Sequence, residues 1–99
     1  MAKYIFTNKA VEDISDIWNY TFDNWSENQA DKYYHMLLDN CQMIVKRPNI
    51  GKNYDNILNQ LFGHKIGRHI IFYKIEGNRD ILIIRILHEQ MDLKNRIKE

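Results

Sequence analysis

The sequence of 99 residues contains one cysteine, one proline and four glycines, and each scarcity excludes a class of protein. Cys41 has no partner within the chain, which excludes the disulfide-stapled folds of small secreted proteins. Too little proline and glycine is present for a collagen-like or low-complexity sequence. The chain must therefore be held by side-chain packing, and we predict a single domain over residues 1–99.

Long hydrophobic runs and a dominant charge are also lacking. The longest apolar runs are Ile70–Tyr73 and Ile81–Ile84, far shorter than the roughly 20 residues that cross a bilayer. Fourteen Lys and Arg oppose 13 Asp and Glu, a net charge of +1, so charge alone favours neither nucleic acid nor anionic membrane as a partner. The start of the chain has no secretory h-region. We expect a cytoplasmic protein that binds no membrane.

The first half of the sequence has the apolar spacing of two amphipathic helices. After a short predicted strand, Lys3–Phe6, either Thr7 or Asn8 can cap the first helix. Ser26 begins the second helix in a capping box, and the helix ends before Pro48. The stripe residues recur every three or four positions: Ala10, Ile14, Ile17, Trp18, Thr21, Phe22 and Trp25, then Ala30, Tyr33, Tyr34, Leu37, Leu38, Cys41, Ile44 and Val45. The pattern predicts a helical hairpin with both tryptophans and the cysteine in its core.

The second half changes to strands, and their pairing assigns each side chain to a face of the sheet. The predicted strands are Leu61–Ile66, His69–Ile75 and Asp80–His88, the first two joined by a type II′ turn at Gly67 and Arg68. Pairing Ile66 with His69 and Ile75 with Asp80 places Ile66, Ile71, Tyr73, Leu82, Ile84 and Ile86 under the helices. The opposite face then carries Ile70, Phe72, Ile81, Ile83 and Leu87.

That opposite face is predicted to be poorly covered, because two helices cannot cover both faces of a small sheet and Met91–Glu99 holds few apolar residues. An exposed apolar face usually marks a partner site. Arg85 within the last strand must either pair with an acid or contact a partner, and His88 and Asp92 either anchor the terminal segment or touch a target. The candidate partner-binding residues are Ile70, Phe72, Ile81, Ile83, Arg85, Leu87, His88 and Asp92.

Four blocks in order, IWNYTFDNWSENQADKYY, KRPNIGK, RHIIFYKI and RILHEQMD, resemble the ParE toxins of bacterial type II toxin-antitoxin systems. The resemblance implies a RelE/ParE-like α+β fold in which an N-terminal helical hairpin packs on a small antiparallel β-sheet. It also implies a ParD-like antitoxin whose arm wraps the toxin, contact with operator DNA only through that antitoxin, and poisoning of DNA gyrase by the free toxin.

The related RelE branch cleaves messenger RNA on the ribosome, which requires a general acid, a general base and cations. The predicted faces disperse the candidates, since His64, His69 and His88 lie on the helix side and Lys65 and Arg85 opposite. No Tyr or His follows His88, unlike the RelE-like nucleases. We therefore expect a toxin that acts by protein binding, with no catalytic residue, cofactor or metal. A RelE-type endoribonuclease, or a toxin that has lost its activity, are the alternatives.

Overall fold

The structure is a computed structural model that describes residues 2–98. Met1 and Glu99, which end the predicted domain, lie outside the described residues. The helices are α1, α2 and α3, with a 3-10 turn at Pro48–Ile50: Asn8–Asn24, Glu27–Lys46 and Leu93–Ile97. The strands are β1 to β5: Tyr4–Phe6, Lys52–Asn53, Phe62–Ile66, His69–Ile75 and Ile81–His88. Among these residues no helix has the length and apolar character to cross a membrane.

The strands form one sheet in the order β1-β5-β4-β3-β2. β1 runs parallel to β5, and every other neighbouring pair is antiparallel. The two long helices pack on one face of this sheet. The predicted α+β fold, a helical hairpin on a small and mainly antiparallel sheet, is confirmed.

Both predicted helix caps are present. The Thr7 hydroxyl accepts a hydrogen bond from the Ala10 N–H at 3.1 Å, and the Ser26 hydroxyl accepts one from the Gln29 N–H at 3.1 Å. Trp25 lies in the break between the helices and is 75 % exposed, so its predicted place in the core is wrong. The break takes the indole off the stripe that faces the sheet.

The first core lies between the helical hairpin and the sheet. Cys41 is fully buried in it, as predicted, and burial raises the pKa of its thiol to about 12. A thiol held in this way packs as a small apolar side chain. The other buried members are Ala10, Ile14, Leu37, Ile44, Ile71, Tyr73, Ile81, Ile83 and Ile86.

The register between β4 and β5 differs from the prediction. Ile75 pairs with Ile81, because Asp80 stays in the turn, where its N–H donates to the Asn78 side chain. A β-bulge between Phe72 and Tyr73 then shifts the register again. A slip of one residue moves a side chain to the other face. Ile81 and Ile83 therefore face the helices, Leu82 and Ile84 face away, and those four predicted faces are wrong.

The opposite face of the sheet is covered by the chain itself, so the predicted bare surface is wrong. Ile70, Phe72 and Leu87 are exposed by only 6 %, 0 % and 2 %. They pack in a second core under residues 54–61 and α3, which supply Tyr54, Ile57, Leu58, Leu61, Leu93 and Ile97. The irregular segment before β3 and the short terminal helix together cover the far face of the sheet, as a third long helix could.

Candidate partner-binding groove

A groove follows the side of α1 that faces the ends of β4 and β5, and it continues to the break between the helices. It consists of two adjoining cavities of about 560 and 630 Å³. Both are lined by Tyr20, Thr21, His69 and His88. We refer to the two cavities together as the α1 groove.

Large apolar side chains line the α1 groove while remaining in contact with solvent. Tyr20 is 66 % exposed, Trp25 is 75 % exposed and Met91 is 41 % exposed. Tyr20 lies on the flank of α1 next to the core stripe, and Trp25 projects from the break. Aromatic and methionine side chains are enriched where proteins bind one another. The groove therefore combines exposed apolar side chains of the types that protein interfaces favour with charged residues of α1.

The groove exists because β1 ends before β5 does. β1 pairs with Ile81–Ile83, which leaves the rest of β5 without a strand on that side. Side chains take the place of the strand: the Thr7 hydroxyl donates to the Ile84 carbonyl at 2.8 Å, and the Ile86 N–H donates to the Asp13 carboxylate at 3.0 Å. These two backbone groups of β5 therefore have hydrogen-bond partners although no strand lies beside them. Space remains between β5 and α1.

Asp13 also holds Arg85. The Nε and Nη2 atoms of Arg85 donate to the two carboxylate oxygens at 2.7 and 2.9 Å, and Nη1 donates to the Arg96 carbonyl at 2.6 Å. Of the two alternatives for Arg85, the structure contains the acidic pair. Its guanidinium lies at the sheet edge between α1 and α3, not on the far face as predicted.

Tyr33 connects α2 to the β3–β4 turn. Its hydroxyl lies 2.6 Å from His69 Nδ1, and the Arg68 N–H donates to the same oxygen at 3.3 Å. Gly67, with a φ of +60°, makes the predicted two-residue turn, and a Cβ there would lie 2.8 Å from the Tyr33 oxygen. The turn and the tyrosine thus require a glycine at this position.

His69 and His88 are cross-strand neighbours, with ring centroids 5.3 Å apart. Burial, and then the neighbouring His88, lowers the pKa of His69 to about 4. The Gln90 N–H donates to His88 Nδ1 at 3.1 Å. His64 lies apart, 3.1 Å from the Asn40 oxygen. The predicted dispersal is therefore wrong for His69 and His88, which share the groove with Arg85.

The structure separates the predicted site residues into three groups. Ile70, Phe72, Ile81 and Ile83 are buried in the two cores. Leu87 belongs with them, since it is 2 % exposed in the second core although it borders the α1 groove. Arg85 and His88 line that groove. Asp92 caps α3, where its carboxylate accepts the Asn95 N–H at 3.4 Å, the anchoring alternative for this residue. Burial removes the surface argument for the first group, and partner binding by the second group stays a prediction.

Sequence reasoning missed Tyr20 and Tyr33 as groove residues. Tyr20 falls outside the core stripe of α1, and this absence from the stripe was the available signal for an exposed aromatic. Tyr33 belongs to the stripe of α2, and only the three-dimensional contact of its hydroxyl with His69 reveals its second role. Within residues 2–98, no group of three or more His, Cys, Asp or Glu side chains could hold a metal ion.

Comparison with known proteins adds independent findings. A family model described as the ParE toxin of the type II toxin-antitoxin system parDE matches residues 4–93. The chain is 32 % identical over 94 residues to Toxin ParE1 of Caulobacter vibrioides, covering 95 % of this chain and 96 % of that protein. It is 29 % identical over 92 residues to Toxin ParE1 of Mycobacterium tuberculosis, covering 93 % and 94 %.

Two solved structures share the fold. A chain of the chromosomal ParDE toxin-antitoxin system from P. aeruginosa superimposes with a TM-score of 0.74 at 16 % identity, covering 89 % of this chain and 95 % of that one. A chain of the RelBE2 toxin-antitoxin complex from Mycobacterium tuberculosis gives 0.69 at 16 % identity, covering 89 % and 98 %. At such identity the likeness concerns the fold.

Proposed function

The chain belongs to the ParE toxin family of type II toxin-antitoxin systems, and we propose that it inhibits DNA gyrase by binding it. We further propose that a ParD-like antitoxin neutralises the toxin by covering the α1 groove. Gyrase inhibition here needs no covalent chemistry by the toxin, because a bound protein can hold the gyrase–DNA complex at the stage where the DNA is cut.

The observation that supports a binding function best is the exposure of Tyr20 and Trp25 along the α1 groove. Burying large aromatic side chains against a partner releases much more free energy than burying small polar ones. A groove with such residues at one end and charged residues of α1 at the other offers a partner both area and orientation. If antitoxin and gyrase use this surface in turn, neutralisation follows from exclusion.

A second candidate, a RelE-type endoribonuclease, is favoured by one observation, the proximity of His69 and His88. Acid-base catalysis is most efficient when a group titrates near the working pH. Burial and His88 hold the pKa of His69 at about 4, and its Nδ1 is engaged with Tyr33. Both features lower its value as a catalyst, and they support the binding function over the nuclease.

The test of the gyrase proposal uses purified toxin, gyrase and plasmid. Supercoiling of relaxed plasmid should be inhibited, or cleaved linear DNA should accumulate after protease treatment of reactions on supercoiled plasmid. A variant with Tyr20→Ala and Trp25→Ala should lose the effect. The matched control is Phe22→Ala, which removes an aromatic ring that is 46 % exposed and stacked on Trp18.

The same preparations separate the alternatives. Cleavage of ribosome-bound messenger RNA with gyrase unaffected would replace the gyrase proposal with the nuclease. Absence of both activities, together with tight antitoxin binding, would indicate a toxin that has lost its activity. The antitoxin proposal is tested by co-expression with any small protein that a gene beside the toxin gene encodes, followed by purification of a complex through a tag on the toxin.

A further inference from the structure

We propose that His69 and His88 form a receptor for a carboxylate in the α1 groove, and that an Asp or Glu side chain of the antitoxin occupies it. The source of the carboxylate rests on the antitoxin partner proposed above, whereas the receptor itself rests on geometry.

The hydrogen bond at Nδ1 fixes the tautomer of His88, and the one at Nδ1 of His69 is compatible with the same tautomer. The backbone N–H of Gln90 can only donate, so Nδ1 of His88 accepts, and the proton of the neutral ring lies on Nε2. The Tyr33 oxygen already accepts from Arg68, and burial raises the pKa of Tyr33, so its hydroxyl keeps a proton to donate. In the assignment that we infer, the hydroxyl donates this proton to Nδ1 of His69, 2.6 Å away, and the ring proton of His69 lies on Nε2.

Both Nε2–H groups are available to a ligand. Among residues 2–98, neither Nε2 atom takes part in a hydrogen bond with the protein. No buried side-chain nitrogen or oxygen in this part of the chain lacks a partner, and both histidines are partly buried. The two Nε2 atoms therefore reach solvent, and both histidines line both cavities of the groove.

A carboxylate fits these donors better than other groups do. It accepts at two oxygens and donates nothing when ionised, so one carboxylate can accept from N–H groups of two neighbouring rings, whose centroids here are 5.3 Å apart. Arg68 lines the same cavity and adds a positive charge. The nearby carboxylates of the chain are engaged elsewhere, since Glu89 pairs with Lys65 at 2.7 Å and Asp13 pairs with Arg85.

The charge along the groove orients such a ligand. The end away from Trp25 carries both signs of charge, with Glu12 and Asp16 opposed by Lys9 and Arg96, so it offers a carboxylate no net attraction. The histidine end, with Arg68, attracts one. An antitoxin segment with apolar side chains for Tyr20 and Trp25 and an acid beside them would therefore dock with its acid on the histidine pair.

The receptor can be tested without the antitoxin by nuclear magnetic resonance on histidine-labelled toxin. Ring nitrogen shifts report the tautomer directly, and both rings should carry the proton on Nε2. Sodium acetate should then shift Nε2 of His69 and His88 in a saturable way, with sodium chloride at equal ionic strength as the salt control. The chain supplies internal controls in His35 and His64, neither of which lines the groove.

Two variants test the pairing of the donors. His88→Gln, with folding verified by circular dichroism, should weaken the acetate-dependent shift at His69 about tenfold, as expected for loss of a charge-assisted hydrogen bond. His64→Gln should leave it unchanged. The receptor would be overturned by a ring proton on Nδ1 of His69. It would also be overturned if the ring-nitrogen shifts were no larger in sodium acetate than in sodium chloride.

The antitoxin half has its own readout. Each Asp and Glu of the antitoxin is changed to Asn or Gln, and binding is measured to native toxin and to His88→Gln. One acid should lose about tenfold in affinity for native toxin and almost nothing for the variant, the signature of a coupled pair. If the antitoxin binds but no acid shows this coupling, the proposal that an antitoxin carboxylate occupies the receptor is overturned. If the antitoxin does not bind at all, the proposed partner is contradicted, and the acetate experiment alone decides whether the receptor exists.

Discussion

Asp13 and Arg85, 72 positions apart in the sequence, form a two-point ion pair that joins α1 to β5 at the uncovered edge of the sheet. The same carboxylate accepts the Ile86 N–H, and the same guanidinium donates to the Arg96 carbonyl. One pair of side chains therefore connects the helical hairpin, β5 and the terminal helix. It also forms a wall of the α1 groove.

Breaking this pair should cost more stability than any surface substitution. Asp13→Ala removes the carboxylate that accepts two hydrogen bonds from Arg85, whose side chain is only 8 % exposed, and it also removes the acceptor of the Ile86 N–H. Removal of one partner of a buried pair typically costs about 3 to 5 kcal/mol. Urea unfolding should show a loss of this size, and Asp16→Ala, an exposed position one turn away, serves as control.

The contribution of the pair itself comes from a double-mutant cycle. Asp13→Asn with Arg85→Gln removes both charges, and it should be less destabilising than the sum of the two single changes. Strict additivity would mean that the two side chains do not stabilise the fold through each other, contrary to their geometry.

Stability should fall on acidification in a window set by His69. Burial, and then His88, lowers the pKa of His69 from 6.5 to about 4, so the folded state binds fewer protons than the unfolded state between these values. The contribution of His69 to the free energy of unfolding is fully present above pH 6.5 and is lost as pH falls towards 4. After allowance for partial solvent exposure, the loss attributable to His69 is about 1 to 2 kcal/mol.

Denaturant titrations at several pH values measure this loss. Burial lowers the pKa of His64 as well, so His64 contributes in the same direction. His69→Gln should reduce the slope between pH 6.5 and 4, whereas His35→Gln, at an exposed position, should not. An undiminished slope in the first variant would show that His69 is not the titrating group.

Local signals predicted the helices, their caps and the family resemblance. Ser26 could be assigned from sequence, and the first cap could be narrowed to Thr7 or Asn8, because a cap depends on residues three positions apart. The resemblance to ParE toxins is confirmed by the family match over residues 4–93. Helix caps and family motifs consist of residues that are close together in the sequence, so they can be recognised without the three-dimensional structure.

Features that depend on distant contacts could not be predicted in this way. The bulge leaves Ile84 of β5 without a partner between the Phe72–Arg85 and Tyr73–Ile83 pairs of β4 and β5, and it becomes visible only when the two strands are paired. One misplaced turn residue, Asp80, reversed the predicted faces of Ile81 and Ile83. The segment that covers the far face could have been recognised from its sequence. Tyr54, Ile57, Leu58 and Leu61 have the spacing of an apolar stripe, and all four join the second core.

Gly67 should tolerate no side chain. Its φ of +60° disfavours any other residue, and a Cβ would lie 2.8 Å from the Tyr33 oxygen. Gly67→Ala should therefore destabilise the fold by about 1 to 3 kcal/mol and displace the hydroxyl from His69. Gly77→Ala is the matched control, because an added Cβ there meets nothing within 4 Å. Thermal unfolding of the two variants measures the difference, and equal melting temperatures would contradict the close approach.

The terminal helix should be part of the fold and not a detachable arm. Ile97 is 8 % exposed in the second core, beside Phe72 and Leu87. Ile97→Ala should lower the free energy of unfolding by about 2 to 4 kcal/mol, the usual effect of truncating a buried isoleucine. Lys94→Ala, an exposed position in the same helix, should change it by less than about 0.5 kcal/mol. A negligible effect of Ile97→Ala would mean that α3 detaches readily and leaves the far face open.

The exposed aromatics of the α1 groove should matter for binding and not for folding. Trp25 contributes little buried area within the chain, since it is 75 % exposed, so Trp25→Ala should change the free energy of unfolding by less than about 0.5 kcal/mol. Truncation of a tryptophan at the centre of an interface costs about 2 kcal/mol or more, which corresponds to at least about a thirtyfold loss of antitoxin affinity. Calorimetric titration of antitoxin into native toxin, Trp25→Ala and Phe22→Ala measures both losses.

Phe22 is also exposed but does not line the groove. A larger loss for Phe22→Ala than for Trp25→Ala would place the antitoxin on the outer side of the hairpin, against the location proposed for it.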